Sequence, residues 1–299
     1  MRHQSFQIIR TLALATSVAA LCSQSWVTAQ IGLQIQTPDR IVTIVPAVTE
    51  MLFAVGAGPQ VVGVSNFARY PPTVQRLPRV GALLNPNIER ILSLRPDFAI
   101  LYGSQTDAIA QLTGAGIEVL TYRHGGITDA MEVLGEIGRR TDRAFEANQI
   151  VTNIQAELLA IADHVSGQAR PRVLLVVGRE PDTIRNLYAS GGIGFLNDMI
   201  VAAGGENVFG NILKEAVQPT AEALLALQPE VIVEIQAEGM MSVRQSPYHQ
   251  NPWQALSAIP AVRTGRVHLL TGNDLIVPGP RLAAGTEKLA RILHPGTFE

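Results

Sequence analysis

Pro86-Asn-Ile-Glu-Arg-Ile-Leu-Ser-Leu-Arg-Pro96 returns 133 residues further on as Pro219-Thr-Ala-Glu-Ala-Leu-Leu-Ala-Leu-Gln-Pro229, without a gap. Both copies carry Glu at the same place, and both run into an acid and a β-branched or aromatic run. Asp97 leads into Phe-Ala-Ile-Leu and Glu230 into Val-Ile-Val-Glu. Leucines and isoleucines between the prolines give one apolar helical face, and the run that follows reads as a buried strand. A proline near the start suits a first helical turn, and a proline beyond the end suits a stopped helix. A helix–strand cassette repeated with its acid in register predicts two similar α/β lobes.

Outward from the first copy, Arg40-Ile-Val-Thr-Ile-Val-Pro46 predicts a strand, with Thr49 capping a helix that runs to Val55. Val61 to Ser65, Phe98 to Tyr102 and Val119 to Tyr122 predict further strands, with helices near Gln105–Thr113 and Thr128–Arg140. The second half opens alike, with a strand at Arg172-Val-Leu-Leu-Val-Val-Gly178 and a helix from about Ile193 to Ala203. Between the halves, Asp142 to Val165 lacks glycine and proline. Ala147, Ile150, Val151, Ile154, Leu158, Ile161 and Val165 recur there at helical spacing, over about six turns. A single helix joining two lobes resists bending, so lobe closure should be small. The divisions expected are residues 1–29 as a leader, 38–140 as the first lobe, 141–168 as the linker helix and 169–299 as the second lobe.

The leader reading rests on Arg2 and Arg10, the apolar run Leu12 to Leu21, and small residues at Val27-Thr28-Ala29. Cleavage near Ala29 would remove Cys22, the one cysteine, and with it any disulfide, thiolate or cysteine-metal chemistry. Leu21 before Cys22 argues against a lipid-modified cysteine. Losing Arg2 and Arg10 takes the formal charge from −2 to −4, and Lys214 and Lys288 are the only lysines. That balance supplies no basic stripe for nucleic acid. A hydrophobic content of 47% without a second long apolar run describes a chain with a large core.

Several of these segments together resemble the helical-linker class of periplasmic binding proteins, which carry vitamin B12, siderophores and haem to ABC importers. They are Arg40-Ile-Val-Thr-Ile-Val-Pro-Ala-Val-Thr-Glu50, Val62-Gly-Val-Ser65, Tyr70-Pro-Pro72, the Asn87 to Asp97 cassette and Gly204-Gly-Glu-Asn-Val-Phe209. The likeness runs from Arg40 to about Leu293. The Tyr-Pro-Pro turn and the Gly-Gly-Glu-Asn-Val-Phe segment are most like the cobalamin-binding members. The resemblance implies an exported, periplasmic, monomeric α/β protein with a ligand cleft between its lobes, delivering a corrinoid to a permease dimer in the inner membrane. It implies no resident cofactor, because the macrocycle is cargo. Glu89 and Glu222 match the glutamates that dock into arginine pockets on the two permease subunits. Tyr70 matches a position that packs against the corrin, and Leu83, Leu84, Asn85, Val177 and Gly178 match segments lining the cleft. Tyr102, Tyr188, Ser190, Asn273 and Asp274 complete the candidate ligand set. Where cobalamin binders often place tryptophans, this chain has only Trp253 beyond its leader, so a smaller corrinoid, a siderophore or haem remains an alternative cargo. For haem, Tyr70, Tyr102, Tyr188 and His124 are the candidate axial ligands.

An enzyme would need a constellation the chain lacks. His124, His164, His249, His268 and His294 show no i+3 or i+4 pairing, and no HExxH, phosphate loop or nucleophile elbow occurs. Gly191-Gly-Ile-Gly194 lacks dinucleotide spacing and reads as a tight turn or room for a ligand. His164 should face solvent at the end of the linker helix. A zinc or manganese site would need about three histidines with carboxylates, and no such set is evident.

Overall fold

A computed structural model describes residues 37–237 and 252–298. The leader reading and His249 lie outside them. In the first half, β1 (Ile41–Thr43), α1 (Pro46–Ala54), β2 (Val61–Val64), α2 (Ile88–Ser93), β3 (Phe98–Tyr102), α3 (Thr106–Gly114), β4 (Glu118–Tyr122) and α4 (Ile127–Arg140) follow in order. Then comes α5 (Ala144–His164), the 21-residue helix between the halves. The second half runs β5 (Arg172–Gly178), β6 (Tyr188–Ser190), α6 (Phe195–Ala202), β7 (Glu206–Asn207), β8 (Ala216–Val217), α7 (Ala221–Leu227) and β9 (Val231–Gln236). It closes with α8 (Pro260–Arg263), β10 (Val267–Thr271) and α9 (Leu282–Leu293).

Among the described residues the strands form a four-stranded sheet ordered β2-β1-β3-β4 and a six-stranded one. In the second, β7, β5, β9 and β10 repeat the parallel order of the first, and β6 and β8 add an antiparallel edge. The duplication extends to single hydrogen bonds. Arg40 donates to the Leu94 and Arg95 carbonyls, and Arg172 donates to the Leu227 carbonyl. Asp97 accepts from the Arg40 amide at 3.0 Å, and Glu230 accepts from the Arg172 amide at 2.8 Å. Arg95 and Gln228, each before the closing proline, adopt φ of 48° and 47°. Non-glycine residues pay for that conformation only where the chain must turn sharply, and both halves make the same turn.

The local readings were corrected at helix starts. Helix α1 begins at Pro46, not Thr49; Val45 is the cap, and the Thr49 hydroxyl donates back to the Val45 carbonyl at 3.1 Å. Proline needs no amide partner at a first turn, so it outcompetes a threonine cap three residues on. In the cassettes the prolines stand outside the helices. Asn87 and Thr220 are the caps, accepting from the Arg90 and Ala223 amides at 2.8 and 3.3 Å.

The sheets are separate but the core is not. Alternate residues such as Ile41, Phe98, Ile100, Val173, Leu175, Val231 and Val233 belong to one apolar cluster running through α1, α4, α5, α6 and α9. Their neighbours Val42, Ala99 and Leu101 face a private cluster of the first half, and Leu174, Val176 and Ile232 one of the second. Strand period two thus divides each sheet into an outer face of its own and a shared inner face. Packing that continuous opposes large hinge motion more strongly than the helical linker alone.

Candidate functional site

A cavity of about 860 Å³ opens where the parallel strands end. Tyr102 is the last residue of β3, His124 follows β4, Ala237 follows β9 and Asn273 follows β10; all four line it. Ligands collect at this end of parallel sheets because loops diverge there and leave a crevice. The rest of the described wall is Pro46, Glu50, Phe67, Arg69, Ala82, Leu83, Leu84, Asn85, Ile276 and Val277. It is largely apolar, with amide, imidazole and charged groups set into it.

Two lips are built by local rules. Gly81, at φ 97°, closes a turn in which an added Cβ would lie 2.3 Å from the Asn85 carbonyl oxygen. That turn projects Leu84 into the open, 94% exposed. The buried Gln105 holds it down: its amide donates to the Leu83 carbonyl at 2.9 Å and its oxygen accepts from the Tyr102 amide at 3.0 Å. The second lip carries Phe67 and Arg69. Asn66 joins the two, donating its backbone N–H to the Gly81 carbonyl and accepting from the Gly81 amide.

Deeper, Tyr102, Tyr122 and His124 form an aromatic cluster with ring centroids 5.2 to 5.7 Å apart. Burial pushes the Tyr102 phenol up to about 12 and the Tyr122 phenol further still, Tyr122 aided by Tyr102, Glu215 and Asp129. The enclosing walls push His124 below its ordinary value, and Glu215 opposes that shift from the second half. Desolvation disfavours charge in each case, so at pH 7 the cluster presents neutral phenols and a neutral imidazole. In an alkaline titration followed by tyrosinate absorbance, Tyr102→Phe should remove a transition near pH 12; loss of one near pH 10 instead, the ordinary value for a phenol, would refute the shielding.

Of the residues expected at the ligand, the cavity brings together Leu83, Leu84, Asn85, Tyr102 and Asn273. It does not take in Val177, Gly178, Tyr188 or Ser190. Strand β6 folds back along the end of β5, pairing Gly178 with Tyr188 at the sheet edge. Val177 and Tyr188 are left exposed there, while buried Ser190 donates to the Gly191 carbonyl. Asp274 is buried in an ion pair with Lys288 at 2.6 Å. Tyr70 stands beside the lip, its ring 4.0 Å from the guanidinium carbon of Arg281. Arg281, at the start of α9, makes a two-pronged pair at 2.7 and 2.9 Å with Glu50 of α1, tying the two halves beside the cavity. The glycines at 191 and 192 serve packing: an added Cβ would meet the Lys214 and Gly210 carbonyls at 2.0 and 2.2 Å. Trp253 is fully buried in the second half. His164 is exposed, as expected, and stacks on Phe298. Phe67, Arg69, Ile276 and Val277 were missed, though they flank the quoted Tyr70 and Asn273-Asp274. Glu50 and Arg281 left no local signal, being 231 residues apart.

A model of the family described as periplasmic binding protein matches residues 41–273, the span that supplies both sheets and most of the cavity wall. The chain belongs to that family. It is 32% identical over 273 residues to an uncharacterized ABC transporter substrate-binding lipoprotein of Bacillus subtilis, covering 88% of this chain and 82% of the relative. The vitamin B12-binding protein of Salmonella typhimurium is 31% identical over 196 residues, 65% of this chain and 71% of that one. A periplasmic haem-binding protein of Pseudomonas aeruginosa superposes with a TM-score of 0.75 at 26% identity, covering 87% and 94% of the two chains. This periplasmic binding protein is therefore a substrate-binding protein of an ABC transporter, of the B12, haem or siderophore type. Its relatives are solute-binding transport proteins rather than enzymes.

Proposed function

We propose that the protein captures a corrinoid in the extracytoplasmic space and hands it, as a monomer, to a two-subunit permease. The observation that carries the reading is the apolar cavity of about 860 Å³, near the upper end of ligand pockets. Leu83, Leu84, Phe67, Ile276 and Val277 supply area against which a macrocycle can be desolvated. Asn85 on one half and Asn273 on the other supply amides that both donate and accept. That pairing suits a flat apolar ring fringed by amide arms. The relatedness to vitamin B12-binding protein over 196 residues supports the same choice. In this reading a leader ending near Ala29 directs export, and Glu89 and Glu222 meet the permease.

Haem is the second reading, favoured by the Tyr102–Tyr122–His124 cluster at the cavity. Titration calorimetry with cyanocobalamin, haemin and a ferric siderophore decides between them. The expected result is one-to-one binding of cyanocobalamin at submicromolar Kd, roughly −8 kcal/mol or better. Binding of haemin or the siderophore alone would reject the corrinoid and keep the transport role.

A further inference from the structure

Two guanidiniums converge on the Phe67 lip without a carboxylate to meet them. Arg69 lines the cavity, and its Nη1 donates to the Asn66 carbonyl at 2.8 Å and the Ala68 carbonyl at 3.4 Å. Arg79 donates from its own Nη1 to that same Ala68 carbonyl at 2.9 Å and to the Ser65 carbonyl at 2.8 Å. Two cations sharing one acceptor repel each other. Burial, and then Arg69, hold Arg79 below its ordinary value. Among the described residues, neither arginine forms an ion pair with an acid.

The contrast within the cavity wall gives this pair its meaning. Glu50 also lines the cavity, but Arg281 neutralises it with two hydrogen bonds. His124 is held toward its neutral form. Among the described wall residues, Arg69 therefore carries the charge that the protein leaves uncompensated. Carbonyl contacts fix its side chain through one nitrogen, leaving the other donors of the planar fork for a partner outside the protein. Arg69 is exposed, so water rather than an acid meets its remaining donors, and an anionic group can take the place of that water.

We infer that Arg69, backed by Arg79, is a specificity-determining anchor for an anionic group on the edge of the cargo, a phosphodiester or a carboxylate. The fork geometry suits either, since both offer two oxygens in one plane to two N–H donors. The surrounding macrocycle packs on Phe67 and the Leu83–Leu84 lip, and the anion fixes which edge enters toward Arg69. This inference rests on the cavity being the cargo site, and not on the cargo being a corrinoid.

The test pairs each macrocycle with a form lacking the anion. Dissociation constants would be measured for the full chain and for Arg69→Gln with four probes: cyanocobalamin, dicyanocobinamide (no phosphodiester), haemin and haemin dimethyl ester. For whichever macrocycle binds, Arg69→Gln should weaken the anionic form about tenfold to a hundredfold, the worth of a charged hydrogen bond. The form without the anion should change by less than about twofold under the same conversion. Arg69→Lys, keeping charge without the fork, should fall between, and matching thermal melts would establish that the variants are folded. Equal weakening of both forms, or of neither, overturns the anchor. A selective loss confined to the haemin pair keeps the anchor while rejecting the corrinoid. Failure of all four to bind rejects both.

Discussion

Cells carrying Glu89→Ala together with Glu222→Ala are expected to lose uptake down to background, while the purified double variant binds its ligand as tightly as the parent. Both glutamates occupy the second position of a short helix, two residues past the capping Asn87 or Thr220, and both are exposed. Each helix leads through a left-handed residue and a proline into the central region of its sheet. The two carboxylates thus occupy equivalent places in two equivalent halves, the arrangement a partner made of two like subunits would read. The Glu222 carboxyl is held below its ordinary range by hydrogen bonds from its own amide and the Thr220 hydroxyl, so it stays ionised at neutral pH. Exposed charges of this kind steer encounter and fix register more than they add affinity. Each single variant should therefore keep partial transport, and the double variant none. Radiolabelled ligand accumulation beside a Kd measurement separates docking from capture. Normal accumulation by the double variant would end the assignment.

The cassette was legible because every level of it agrees. Leucine spacing, the closing proline and the acid that leads into the next strand all call for the same helix–strand unit, twice, although the opening proline stands outside the helix it was expected to begin. Strand β3 came out at its expected limits, Phe98–Tyr102, and β5 at Arg172–Gly178. The reading slipped where two good signals competed: Pro46 and Thr49 both favour a helix start, and spacing does not rank them. Linker helix α5 starts at Ala144 rather than Asp142, because Asp142 adopts φ 55° after α4.

The cavity was half legible for a different reason. Leu83 to Asn85 and Asn273 came from the family resemblance, and they lie on turns before α2 and after β10. Val177 and Tyr188 lie outside the cavity because β6 and β8 add an antiparallel edge that the first half lacks. A comparison of two lobes misses whatever only one of them has. Glu50 and Arg281 depend on the packing of α1 against the start of α9, which no period within either helix announces.

Replacing Arg281 by Met should lower unfolding stability by about 2–3 kcal/mol, somewhat under the usual loss for breaking a buried pair. The discount reflects Arg281, whose side chain is 24% exposed against 5% for Glu50. The loss arises because the variant leaves a desolvated carboxylate without its two-pronged partner, and Tyr70 without the cation its ring covers. For a chain of this size that is a fall in Tm of about 5–10 °C. The double variant Glu50→Gln with Arg281→Met removes the stranded charge and should regain most of the loss, a coupling that a double-mutant cycle reads directly. The same pair bears on transport. The shared core holds the inner faces of both sheets together, and Glu50 and Arg281 join the halves at the cavity wall itself. Loosening that point should let the two halves part at the cavity wall, so ligand release from Arg281→Met, followed by stopped flow, should quicken about tenfold while the association rate changes little. Strictly additive effects of the two substitutions, with release unchanged, would show that the pair neither couples the halves nor governs how long the cargo is held.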